Sequence, residues 1–269
     1  MKKFSSRFYT VLVFAFLYIP ILVLIFNSFN ASKSRTVWTG FTLDWYKKLF
    51  SNETILSSLC NTLLVAAVAS VVATILGTLA SLGIFGMKKL TKTILLDITY
   101  LPMLNPEIVT GVSLMLLYVS VNMEFGYLTL ILSHITFCVP YVILNVLPKL
   151  RQMDRYLVDA AMDLGCDRFQ AFFKVILPEI MPGVVAGFLM SLTYSIDDFV
   201  ISYFTYGPAS QTLSITIFSM TRRKVSPEIN ALSAIIFVVV LTVLLISNYS
   251  GLLGKQDGKK QKTLKKEED

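Results

Sequence analysis

Apolar residues fall in six long runs, at about residues 8–29, 60–85, 94–121, 127–147, 183–204 and 231–249. Each comes close to the roughly 20 residues a helix needs to cross the hydrocarbon core of a bilayer, so the pattern predicts six transmembrane helices. The runs differ in character. Pro20 interrupts the first, and the second is rich in small residues, among them Ala66, Ala69, Ser70, Ala73, Gly77 and Ser81. Small side chains let helices approach closely in lipid, which predicts that the second span is buried among others. The third is broken by Pro102 and Pro106, with Glu107 directly after. Proline removes a backbone donor, and membranes tolerate this only where protein or water satisfies the freed groups. The fourth run contains His134, Pro140 and Asn145, and the fifth contains Tyr194, Asp197, Asp198 and Tyr203.

The polar stretches between the runs carry their own signals. Residues 30–57 hold Trp38, Trp45 and Tyr46, amphipathic rings suited to a helix lying at the membrane surface. The longest polar stretch, 149–182, mixes Lys149, Arg151, Asp154, Arg155, Asp159, Asp163, Asp167, Arg168, Lys174 and Glu179. Within it, Tyr156 to Met162 reads as a short helix ended by Gly165, and Asp167 to Ile176 as a second. Pro178 and Pro182 then punctuate the approach to the fifth span. Residues 1–254 read as one transmembrane domain, and 255–269 as a charged tail expected to be disordered.

Composition excludes a soluble domain: 55% of the 269 residues are hydrophobic, 15% are charged, and the mean hydropathy is +0.67. A net charge of +7 would suit a nucleic-acid binder, but the basic residues sit in the loops between runs, where they orient a membrane protein. With six spans both termini share one side. That side carries seventeen Lys and Arg against seven opposite, which predicts cytoplasmic termini and places 149–182 in the cytoplasm. The basic N-terminus before residues 8–29 resembles a signal peptide, but the run is long and no small-x-small cleavage site follows, so it reads as a retained span. Cys60, Cys138 and Cys166 are odd in number without metal-ligand spacing, and a single histidine assembles no ordinary zinc site.

Asp159-Ala160-Ala161, then Gly165 after three residues and Val175-Ile176-Leu177-Pro178 after nine more, resemble the EAA loop of ABC-importer permeases, E-A-A-x3-G-x9-I-x-L-P. Asp replaces Glu and Val replaces Ile, which keeps charge and shape. The resemblance implies a short coupling helix seated in a groove of an ATP-binding subunit. Asp159, Ala160, Ala161 and Gly165 would lie in or beside that contact, and Leu177-Pro178 would tie the loop to the fifth span. Along essentially the whole chain the sequence is similar to the spermidine/putrescine branch, specifically the second permease of the pair. Trp45-Tyr46, Leu101-Pro102, Pro106-Glu107-Ile108, His134-Ile135-Thr136-Phe137, Pro140-Tyr141 and Ser195-Ile196-Asp197-Asp198-Phe199-Val200 carry that similarity. It implies an all-α integral membrane protein with the six-helix architecture of a type I importer permease (MetI-like) in a bacterial inner membrane. Its implied partners are a paralogous permease, an ATPase dimer holding ATP and Mg, and an extracytoplasmic polyamine-binding protein; no cofactor is expected on this chain.

The residues themselves fit a cationic cargo. An acidic side chain inside a span costs roughly 2.5–3.5 kcal/mol on insertion scales, so it usually faces a cavity or a partner. On one helix Asp197 and Asp198 lie about 100° apart and cannot both face one cavity squarely. One is then expected to line a pathway while the other caps or pairs locally, with Glu107 a third candidate. Trp45, Tyr46, Tyr100, Tyr194, Phe199 and Tyr203 offer cation–π contacts of about 0.5–2 kcal/mol each to an alkylammonium. Interfacial belts and helix contacts are the alternative roles for these rings and carboxylates, and His134 reads as a hydrogen-bonded span residue. No G-x-x-x-x-G-K-[ST] and no nucleophile–base arrangement occurs, so the chain is not expected to hydrolyse ATP. The near absence of basic residues in the spans weighs against an anionic solute such as phosphonate, while iron and thiamine stay open. An ion-coupled carrier using Asp197 and Asp198 would be supported by internal repeats, and none is evident.

Overall fold

The computed structural model describes residues 2–32, 37–154, 156–223, 227–239 and 241–242. Lys33, Arg35, Arg155, Lys224, the end of the sixth apolar run and the tail at 255–269 lie outside the described residues. The described regular elements are helical. Among the described residues four helices are long and apolar enough to cross a membrane, and a sharply bent pair adds a fifth if it is one span. The chain separates into two compact units, Met1–Glu53 with Met220–Asp269, and Thr54–Ser219.

In the first unit α1 (Lys2–Ser28) continues through Pro20. Its apolar residues from Arg7 onward are exposed almost all round, as suits a helix whose solvent is lipid or a partner span. Asn30 organises the chain that follows. Its side chain accepts from the N–H of Ser32 and Thr39 and donates to the Val37 carbonyl, and its own carbonyl accepts from Trp45 Nε1 at 2.7 Å. This seats the short α2 (Asp44–Phe50) with Trp45 and Leu49 buried. The sixth run begins as a helix over Pro227–Val239.

The second unit is built on three helices: α3 (Glu53–Gly86), α6 (Tyr127–Gln152) and α9 (Leu177–Asp197). As the small residues of its run predict, α3 buries one face, with Ala66, Ala69, Ser70 and Ala73 fully covered. Val142 of α6 is held from two sides: a Cβ at Gly77 would lie 2.6 Å from Val142 Cβ, and one at Gly187 of α9 would lie 3.1 Å from Val142 Cα. Glycine at these positions lets the backbones approach in a setting where packing, rather than water exclusion, drives association.

The third apolar run is two helices, α4 (Lys89–Leu104) and α5 (Glu107–Ser120), bent by 102°. Pro106 disfavours helical backbone at the preceding residue, and Asn105 is extended there (ψ 143°). Beyond α6, the basic loop forms α7 (Tyr156–Asp163). A separate second helix was expected to end before Pro178; instead α8 (Arg168–Ala171) runs through a π-helical turn (Phe172–Ile176) into α9, one continuous helix to Asp197. Pro178 falls in the first turn after the wider π turn, which absorbs the offset that its missing N–H would otherwise impose. The fifth run is not one helix through Phe204: α9 stops at Asp197, and α10 (Val200–Thr205) follows a break at Asp198–Phe199. After it comes α11 (Leu213–Arg223).

Gly77→Ala pushes a methyl into Val142 and is expected to destabilise the unit by about 1–3 kcal/mol. Gly83 of the same helix has nothing within 4 Å of an added Cβ. Thermal unfolding in detergent should therefore show a lowered Tm for Gly77→Ala and none for Gly83→Ala; equal values would contradict the close approach.

Candidate functional site

The break after α9 is built by one carboxylate. Asp198 is extended (φ −61°, ψ 131°) and buried, and its oxygens accept from the N–H of Ile201 at 3.3 Å and of Ser202 at 2.7 Å. An aspartate that satisfies first-turn donors starts a new helix and competes with continuation of the old one. Ser202 Oγ donates to the same Asp198 Oδ2 at 2.7 Å. His134, fully buried on α6, closes the cluster: Nε2 lies 3.0 Å from Ser202 Oγ and 3.5 Å from Asp198 Oδ2, and Nδ1 lies 2.6 Å from Ser195 Oγ. Asp197 and Asp198 therefore do not share a helix. Asp198 is enclosed, whereas Asp197 ends α9 exposed.

Two aromatic groups flank this break. Tyr194 packs on Tyr141 with ring centroids 4.3 Å apart and the rings tilted by 31°, and Phe137 meets both edge-on, at 5.3 Å from Tyr141 and 6.0 Å from Tyr194. Glu107, the first residue of α5, is exposed. Phe137 also lines a cavity of about 400 Å³ at the α4–α5 bend, with Pro102, Asn105, Thr110, Ser113 and Thr136. Phe199 in the break, Tyr203 on α10 and Phe218 on α11 form a second group, with Phe199 4.8 Å from Phe218 and 5.6 Å from Tyr203. Tyr100 is half-buried in α4. Trp45 and Tyr46 belong to the first unit and already have partners there. Lys48 Nζ stands 4.7 Å over the Trp45 ring, and Tyr46 shares a 2.7 Å hydrogen bond with Ser28. His134, Ser195, Ser202, Phe137 and Tyr141 were not singled out as site residues by sequence; the signal was the one histidine of the chain in a span, a polar ring that must find a buried partner.

The basic loop is a tightly specified reversal. Gly165 has φ +87°, its N–H donates to the Met162 carbonyl, and the Cys166 N–H donates to the Ala161 carbonyl, the paired bonds that close a helix on a left-handed residue. Asp167 then caps α8, accepting from the Gln170 N–H at 2.7 Å. Ala161 is buried while Asp159, Ala160 and Gly165 are exposed. Around them the loop presents bare apolar side chains: Leu164 is 86% exposed, Tyr156 78% and Phe169 73%. Leu177 and Pro178 lie inside the continuous helix that leads to Asp197.

Long apolar helices, one pair of them sharply bent, define a multi-pass membrane protein. Residues 73–253 match the family described as "Binding-protein-dependent transport system inner membrane component", and the chain belongs to that family. It is a multi-pass component of the inner membrane. The chain is 38% identical to the spermidine/putrescine transport system permease protein PotC of Escherichia coli (strain K12) over 235 residues, 87% of this chain and 89% of that protein. It is 36% identical to the PotC of Haemophilus influenzae, covering 92% and 96% of the two chains. It is 40% identical to the putrescine transport system permease protein PotI of Escherichia coli (strain K12), covering 88% and 86%. The fold is that of a bacterial ABC transporter involved in the import of the acidic polysaccharide alginate. That match has a TM-score of 0.70 at 19% identity and covers 91% of this chain and 93% of that one.

Replacing Asp198 with Ala leaves two backbone donors and the Ser202 hydroxyl short of an acceptor in a buried site, a loss of about 1–3 kcal/mol. Asp197→Ala touches an exposed side chain and should shift stability by less than about 0.5 kcal/mol. Unfolding of the two purified variants checks this, and equal Tm losses would contradict the enclosed position of Asp198.

Proposed function

We propose that this chain is the transmembrane permease subunit of an ATP-driven importer that moves spermidine or putrescine from a binding protein into the cytoplasm. The observation that carries the reading is 36–40% identity, over most of the chain, to permeases named for those polyamines. The chain contributes no ATPase site of its own. ATP and Mg are held by a separate ATPase dimer, and a paralogous permease and an extracytoplasmic polyamine-binding protein complete the assembly. Other solutes and ion-coupled transport are not favoured by the family and its relatives.

Both termini lie in the cytoplasm in this reading, as the loop charges favour. The loop around Asp159, Ala160, Ala161 and Gly165 docks on the ATPase, with Leu164, Tyr156 and Phe169 as its apolar anchors. Such exposure in a polar segment is characteristic of a binding surface. The helix through Leu177 and Pro178 passes that movement to Asp197. Solute follows a path offered by Glu107 with Tyr141 and Tyr194, and by Asp197 with Phe199 and Tyr203. Several weak contacts suit a path that must release what it binds. Tyr100 stands close to the α4–α5 bend in sequence and belongs to this path as a secondary contact. Trp45, Tyr46 and Asp198, each engaged internally, support the path through structure.

Labelled spermidine uptake into vesicles carrying the whole complex, loaded inside or not with ATP, tests the reading. ATP-dependent uptake is expected; uptake driven by a proton gradient alone would overturn it. Leu164→Asp should lower ATPase co-purification tenfold or more without changing insertion, and normal co-purification would remove the loop's docking role. Asp197→Asn should reduce uptake severalfold at unchanged complex yield, and unchanged uptake would take Asp197 off the path.

A further inference from the structure

The sense of the hydrogen bonds around His134 is fixed by Ser202. The single Ser202 hydroxyl proton is donated to Asp198 Oδ2, so Ser202 Oγ accepts from His134 Nε2–H. The Nδ1 side is left for Ser195, on the last turn of α9. One imidazole thus holds the end of α9 through Ser195 and the start of α10 through Ser202, from a fixed place on α6. All four side chains of this set, His134, Ser195, Asp198 and Ser202, are buried. None of them is open to a solute.

We infer that His134 is a positioning residue for transport: a latch across the α9–α10 break that fixes where the exposed Asp197 stands. This rests on the permease reading above. The same continuous helix begins at Arg168 beside the docking loop and ends at Asp197, so a displacement of the loop arrives at the break. The bond it loads first is the 2.6 Å contact between Ser195 and His134, because α10 stays with His134 through Ser202 and Asp198. The imidazole is the joint about which Asp197 and the aromatic groups on either side of it change their relative positions.

His134→Gln, whose amide reaches toward the Nε2 position, and the apolar His134→Leu separate this role from others. Both are measured in the assembled complex by uptake against solute concentration, by complex yield, and by amide hydrogen exchange over residues 198–206. Leu is expected to leave yield and half-saturating concentration unchanged, lower the maximal uptake tenfold or more, and speed exchange at 201–205 about tenfold. Gln, which keeps a contact to Ser202 but not that to Ser195, should recover most of the protection and little of the uptake. A raised half-saturating concentration with unchanged protection would make His134 a solute contact and overturn the latch. Loss of complex yield in both variants, or full uptake by Leu, overturns it as well. Failure of the unaltered complex to take up spermidine strikes at the permease reading instead, and unchanged exchange in Leu strikes at the latch alone.

Discussion

A carboxylate buried among membrane helices is stable only when its oxygens are fully partnered, because desolvating an unpaired charge costs several kcal/mol. Asp198 meets that condition with two backbone N–H groups, one hydroxyl and a nearby imidazole. Those partners dictate the path of the chain. The backbone donors belong to the first turn of α10, so α9 must end one residue earlier. The imidazole belongs to α6, so the break is held against the helix on which the unit packs. Asp197 is left outside the cluster by the same geometry.

The rest of the second unit places this node and connects it. Glycine contacts press α3 and α9 onto Val142 of α6, two turns from His134, which sets the depth at which the histidine meets the end of α9. At its other end α9 is continuous with α8 and the exposed loop, through a π turn and two prolines that do not interrupt it. In the proposed function this rigid element, with the exposed apolar loop at one end and the broken, carboxylate-bearing end at the other, is the route that couples ATP hydrolysis to a membrane pathway.

Much of this was legible in the sequence where local chemistry decides. The apolar runs, the break at Pro102–Pro106, the buried face of α3 and the Gly165 cap follow from composition, proline and glycine at single positions. The break at Asp198 did not. Nothing in Ser195 to Ser202 alone says that helix must stop there, since the choice depends on a histidine more than sixty positions away. Pro178 misled in the opposite direction, because a π turn is a tertiary accommodation that proline propensity does not foresee. Trp45 and Tyr46 read as open aromatic faces, but Asn30 and Ser28 engage them across short loops that periodicity cannot resolve.

In the proposed function, movement at a cytoplasmic ATPase and handling of a polyamine are linked through this chain. The most direct measurement is the rate of ATP hydrolysis by the complex in lipid nanodiscs as spermidine-loaded binding protein is titrated in. Hydrolysis should rise severalfold and saturate with loaded binding protein, and rise much less with the unloaded form. Hydrolysis indifferent to both would contradict the link.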